Sequence, residues 1–177
     1  RDSLPPEARR CCRLVILGRA LRERGREHLQ EEILSAIGPA HRGAITLEGN
    51  RESVLPVLLA ADAHVLVSTT ESSPLVNLEA AALGIPCISS AVHGIPEVLA
   101  DGERGFLADP HGVDSICATL RRVYDLIASS SPELEAVRAR ARDFVRERHD
   151  HRRAAASLSR HLDACSTAGG PILAGAA

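Results

Sequence analysis

Short runs of consecutive apolar residues alternate along the chain with longer stretches in which apolar positions recur every three or four residues. The first run, Arg13-Leu14-Val15-Ile16-Leu17-Gly18, is of β type and ends in glycine. Leu21, Leu29, Ile33, Leu34 and Ile37 then stand among charges, which predicts a helix over 21–37. A second strand is expected at 44–47. A helix follows over 53–61, where Pro56 is tolerated because it lies in the first turn. Residues 63–67 are apolar nearly throughout, the pattern of a strand covered on both faces. Further along, the pattern predicts a helix at 74–83, a strand at 86–89, one or two helical turns at 94–99 and a brief edge strand at 105–107. Helices are expected at 112–128, 132–147 and 150–164; Ser131-Pro132 is a start signal with proline at the first helical position. Residues 166–177, with three glycines and a proline, read as a flexible tail.

Strands and helices joined by short connections imply parallel strands linked by crossovers, an α/β fold with an open, doubly wound parallel sheet. Residues 1–165 are expected to form this one lobe. Ligands of such sheets sit beyond the carboxyl ends of the strands, against helix N-termini. The loops after Leu17, Val67 and Ser89 are therefore where chemistry is expected.

Composition narrows the choice. With 45% hydrophobic residues, 25% charged residues and no apolar run near membrane-spanning length, the chain reads as a globular domain without a membrane span. Twenty-one basic and twenty-three acidic side chains leave a net charge of −2, which gives no field for nucleic acid. Every base is Arg, with no Lys, and the only aromatics are Phe106, Phe144 and Tyr124, too few for stacking platforms. Five cysteines lack any Cys-x-x-Cys pair or zinc-ligand spacing, so no metal site is expected and a reducing, cytoplasmic setting is. The chain opens on Arg1 without a charged-then-apolar leader and is expected to be a piece of a longer polypeptide.

The first loop, Gly18-Arg19-Ala20-Leu21, lacks the second glycine that lets a backbone approach a dinucleotide pyrophosphate, and a Walker A loop would need Lys. The second loop runs from Ser68 to Ala80. There Ser73 is expected to cap a helix whose first residue is Pro74. The N–H groups of Leu75, Val76 and Asn77 would then lack intrahelical partners and offer a phosphate site at the positive end of the helix dipole. Glu79 lies five residues beyond Pro74, roughly 7–8 Å along the axis, and leans back towards that end. A carboxylate there can accept hydrogen bonds from two ribose hydroxyls, while Glu71 faces the crevice from the loop itself.

Glu71 and Glu79, separated by seven residues, resemble the Glu-x7-Glu motif of retaining glycosyltransferases built from two Rossmann-like lobes, of the family-4 type known as glycosyl transferases group 1. The run Ser68, Glu71, Pro74, Glu79-Ala80, Gly84-Ile85-Pro86 is similar to that family throughout. His93-Gly94-Ile95-Pro96-Glu97-Val98 is similar to its Gly-Gly-x-Pro-Glu segment, and Asp101-Gly102-Glu103-Arg104-Gly105-Phe106-Leu107 to the stretch after it. The resemblance covers about 14–124. It implies the C-terminal, donor-binding lobe of such an enzyme, which moves a hexosyl group from a nucleoside-diphosphate sugar with retention and uses that sugar as substrate, without a cofactor.

Carried over by position, the resemblance places Glu79 on the donor ribose, Glu71 at the donor sugar as the catalytic carboxylate, and the amides of Leu75 and Val76 at the diphosphate. It sets the turn Glu48-Gly49-Asn50 against the base, Gly18 and Arg19 in the first loop of the site, and Gly94 at the donor through a close backbone approach or a positive φ. The family's Arg/Lys pair for the diphosphate has no Lys here; either it lies upstream of Arg1 or the site has degenerated, with Arg19 a partial substitute. The acceptor (a sugar, lipid or protein) would bind a missing N-terminal lobe, so the fragment alone should not catalyse transfer. The alternative is a non-catalytic interaction or regulatory module that keeps the fold; a sugar-nucleotide epimerase fits the loop order less well.

Overall fold

A computed structural model of the chain describes residues 6–18, 27–49 and 51–167. It divides into two compact units, 1–57 and 58–177.

The first unit carries α1 (Pro6–Cys11), β1 (Leu14–Leu17), α2 (Glu27–Ala36), a 3-10 helix (Pro39–Ala44) and β2 (Ile45–Glu48). β1 and β2 are parallel, with Leu14 opposite Ile45 and Leu17 opposite Glu48. Both strands begin and end within a residue or so of the expected positions. Two short helices had no periodic signal to announce them: α1, which opens on Pro6, and the 3-10 turn, which opens on Pro39. Only the second half of the helix expected at 21–37 lies within the described residues, as α2. The boundary between the units falls in α3 (Leu55–Leu59), whose first amide donates to Ser53 Oγ at 3.2 Å; Pro56 sits in the first turn, as expected.

The second unit runs through β3 (His64–Leu66), α4 (Leu75–Leu83), β4 (Cys87–Ser90), α5 (Ile95–Leu99), β5 (Phe106–Ala108), α6 (Val113–Ala128), α7 (Pro132–Arg148) and α8 (His151–Thr167). Its sheet has the order β3-β4-β5 and is parallel throughout. The central strand β4 is buried at all four positions, and β5 is an edge, as its brevity suggested. Ile88, Phe106, Val123, Leu134 and Val137 form the core that joins the sheet to α6 and α7. Each such side chain, fully removed from water, contributes roughly 1.5–3 kcal/mol.

One expectation fails at β3. Val65 and Val67 remain 36% and 43% exposed, so among the described residues β3 alternates inward and outward positions instead of being covered on both faces.

The helix ends show the local chemistry. Ser131 caps α7 by accepting from the Glu133 amide at 3.2 Å, with Pro132 at the first position, as the sequence predicts. Asp150 starts α8 by accepting from the amides of Arg152 and Arg153. That helix continues through Thr167, two residues into the expected tail; residues 168–177 lie outside the described residues. α4 ends on Gly84 at φ +74, where the amides of Gly84 and Ile85 donate back to Ala81 and Ala80. The left-handed backbone that closes such an end is natural to glycine. α7 packs along α4, and its Arg142 lies against Gly84. No described helix is long and apolar enough to cross a membrane.

Candidate functional site

The link between β3 and α4 is built around two adjacent buried serines of β4. Ser90 Oγ accepts the Ser68 amide at 2.8 Å, and Ser68 Oγ donates to Glu71 Oε1 at 3.4 Å. Glu71 is half-buried in this loop. Six residues on, Asn77 is 1% exposed in the first turn of α4. Its Oδ1 accepts from Ser89 Oγ at 3.1 Å and lies 3.1 Å from His64 Nε2 on β3. Since Oδ1 can only accept, the ring donates from Nε2. Burial holds the His64 pKa below its ordinary value, against the opposing effect of the Asn77 hydrogen bond. Cys87 lies 3.5 Å from the Asn77 carbonyl, and burial pushes its thiol up to about 12. Sequence reasoning named Asn77 for its amide and missed its side chain, and it missed His64, Ser90 and the hydroxyl of Ser89; the hint was only their polarity in otherwise apolar runs.

The start of α4 differs from the expected one. Pro74, at φ −69 and ψ 115, is the cap, Leu75 is the first helical residue, and no side chain caps the helix. Ser73 therefore does not cap. The Asn77 amide donates to the Pro74 carbonyl at 3.1 Å, so it is not open for a ligand. The bond is of the i→i−3 type that tightens an end turn, and it closes an amide that the third position of an α-helix would otherwise leave open. The amides of Leu75 and Val76 come before Asn77, the first amide of α4 to reach an intrahelical acceptor, and so stay open. Leu75 is 70% exposed, and Glu79, one turn later, is exposed on the same face. Asn77, Ala80 and Ala81 form the buried face of α4.

Gly94 approaches this loop closely: a β-carbon built on it would stand 2.4 Å from the Ser72 carbonyl oxygen. Its own φ is −80, so of the two reasons expected for glycine here only the close approach applies. The positive φ belongs to its neighbour His93, at +46. Ser72, Ser73, Gly94, Glu97 and Arg148 line a cleft of about 410 Å³ beside the loop. Arg104 steadies the far end of α5 by donating to the carbonyls of Val98 at 2.7 Å and Glu97 at 2.8 Å, with its guanidinium 4.3 Å from the Phe144 ring centre.

The structure thus gathers Glu71, Leu75, Val76, Glu79 and Gly94 in the second unit. Gly18 and Gly49 belong to the first, one residue beyond the paired ends of β1 and β2. Gly49 is buried, whereas a β-carbon on Gly18 would meet nothing within 4 Å. Glu48 pairs with Arg51 across the turn. Arg19 and Asn50 lie outside the described residues. Among the described residues no group of three or more His, Cys, Asp or Glu is placed to hold a metal.

Comparison with known proteins follows the same lines. The family model for glycosyl transferases group 1 matches residues 2–125. N-acetyl-alpha-D-glucosaminyl L-malate synthase of Bacillus anthracis is 44% identical over 61 residues, 34% of this chain and 16% of that protein. D-inositol 3-phosphate glycosyltransferase of Mycolicibacterium smegmatis is 40% identical over 76 residues, 43% of this chain and 18% of that protein. These matches cover less than a fifth of either relative's length. In fold, the chain is similar to Anabaena HepE in complex with UDP, with a TM-score of 0.76 at 18% identity over 92% of this chain and 43% of that one. It is also similar to the C-terminal domain of a group 1 family glycosyl transferase from Francisella tularensis, with a TM-score of 0.58 at 21% identity over 70% of this chain and 64% of that one.

Proposed function

The chain belongs to the glycosyl transferases group 1 family, and on that premise we propose that it is the donor-binding part of a retaining hexosyltransferase that uses a nucleoside-diphosphate sugar. The observation that carries this reading is the shared exposed face of α4. Its open amides at Leu75 and Val76 and the Glu79 carboxylate stand one turn apart, with Glu71 in the loop that leads in. In this reading the two amides donate to diphosphate oxygens, where the helix dipole favours negative charge. Glu79 accepts hydrogen bonds from the ribose hydroxyls, and Glu71 lies at the sugar whose bond to phosphate breaks. Charge that builds on the departing diphosphate is met by dipoles already in position, which lowers the barrier without reorganisation. Gly94, which closes on the Glu71 loop, serves the donor. The acceptor binds elsewhere in the full-length enzyme, and the setting is cytoplasmic.

Anabaena HepE, similar in fold, has been solved with UDP and with UDP-glucose, so uridine nucleotides are the first probes, with guanosine nucleotides alongside. The test is titration of the isotope-labelled chain with UDP and GDP while amide signals are followed. Shifts concentrated at Leu75 to Glu79 are expected. Unchanged signals there, at millimolar nucleotide, would favour a non-catalytic module that keeps the fold.

A further inference from the structure

We propose that Ser89 and Ser90, neighbours on β4, are the positioning residues of this site: one holds the start of α4 and the other holds the loop that carries Glu71. The inference rests on the donor-site reading above. Successive residues of a strand point to opposite faces, and these two hydroxyls, 0% and 1% exposed, reach opposite ends of one segment. Ser89 Oγ donates to Asn77 Oδ1 at 3.1 Å, within the first turn of α4. Ser90 Oγ accepts the Ser68 amide at 2.8 Å, and Ser68 passes that constraint to Glu71 through its own hydroxyl. Eight residues separate Ser68 from Asn77 along the chain, yet both are fixed to adjacent residues of the most buried strand. The distance between the Glu71 carboxylate and the open amides of α4 is thereby set by β4.

Polarity in this place needs a reason beyond stability. The preceding β4 residues are Cys87 and Ile88, and a buried hydroxyl costs free energy unless it is hydrogen-bonded. Asn77 is less favourable still, since its buried Nδ2 has no partner. An apolar side chain would satisfy packing at each position. What the polar set supplies is direction, because Oδ1 of Asn77 is held from β4 by Ser89 and from β3 by His64.

The test is calorimetric titration of the full chain and its Ser89→Ala and Ser90→Ala variants with inorganic pyrophosphate, UDP and UDP-glucose, with GDP and GDP-mannose run in parallel. Ser89→Ala is expected to weaken pyrophosphate and nucleoside diphosphate by one common factor of about tenfold, because the helix start moves under both. Ser90→Ala should leave pyrophosphate within about twofold and weaken the nucleotide sugar relative to its diphosphate by about fivefold, because only the Glu71 loop is released. Should Ser90→Ala not fold, the half-buried Ser68→Ala tests the same arm and should show the same selective loss; His64→Ala does so for the Asn77 arm. A folded Ser89→Ala that leaves pyrophosphate and nucleoside diphosphate binding unchanged, or a folded Ser90→Ala that lowers all ligands equally or none, overturns the positioning role. Failure of the unmodified chain to bind any nucleotide overturns the donor reading instead.

Discussion

Gly94 sits so close to Ser72 that a β-carbon on the glycine would stand 2.4 Å from the serine's carbonyl oxygen. The contact joins the entry of α5 to the loop that carries Glu71, and it is a matter of space, because the glycine's own φ is −80. Backbone cannot swing aside as a side-chain tip can. Gly94→Ala is therefore expected to cost about 1–3 kcal/mol. The loss should show as a lower urea midpoint with an unchanged slope, with the largest amide shifts at Glu71 to Ser73.

Gly84 makes a useful contrast. Its φ is +74, and the atom nearest to an added β-carbon is Nη1 of Arg142, the mobile end of a side chain. Gly84→Ala should cost about 1–2 kcal/mol from the left-handed backbone alone. Because the arginine can move, most of that cost should persist in an Arg142→Ala background. A double-mutant cycle by denaturant unfolding that showed full rescue would place the cost in the side-chain clash instead.

What could be read from the sequence followed the range of the interaction concerned. Ser131-Pro132 announces α7 correctly because the cap and its partner Glu133 are two residues apart. Ser73-Pro74 offers the same signal and misleads, since that loop is fixed at Ser68 by Ser90 and pressed at Ser72 by Gly94. Those contacts span about twenty residues and move the helix start to Leu75. The cluster of His64, Asn77 and Ser89 was illegible for the same reason, while the placement of Glu71 in a loop and of Glu79 on the helix after it was legible because it rests on local pattern alone. α1 and the 3-10 turn were too short for periodicity to register.

Half-buried His64 gives a pH dependence with a definite sign. Its folded pKa is depressed below the ordinary value of about 6.5 by desolvation. The unfolded chain then binds more protons in the window below about 6.5, so stability is full above that value and falls as the pH drops through it. Unfolding midpoints measured from pH 7.5 down to 5 should decline more steeply for the unmodified chain than for His64→Gln. Equal slopes would mean that His64 is not held neutral.

Thiol reactivity should separate the cysteines. Cys87 is fully buried with its thiol at about 12, whereas Cys165 is exposed. Alkylation at pH 8 should modify Cys165 within minutes and leave Cys87 intact until denaturant is added, as read by mass spectrometry of peptides.

The central claim is tested most directly at Glu79. Binding of UDP or GDP and of inorganic pyrophosphate should be measured by calorimetry for the unmodified chain and for Glu79→Ala. If this carboxylate holds the ribose, the substitution costs about 1.5–3 kcal/mol with the nucleoside diphosphate, roughly 10–100-fold, and leaves pyrophosphate nearly unchanged. Equal loss for both ligands, or no loss for either, would contradict it.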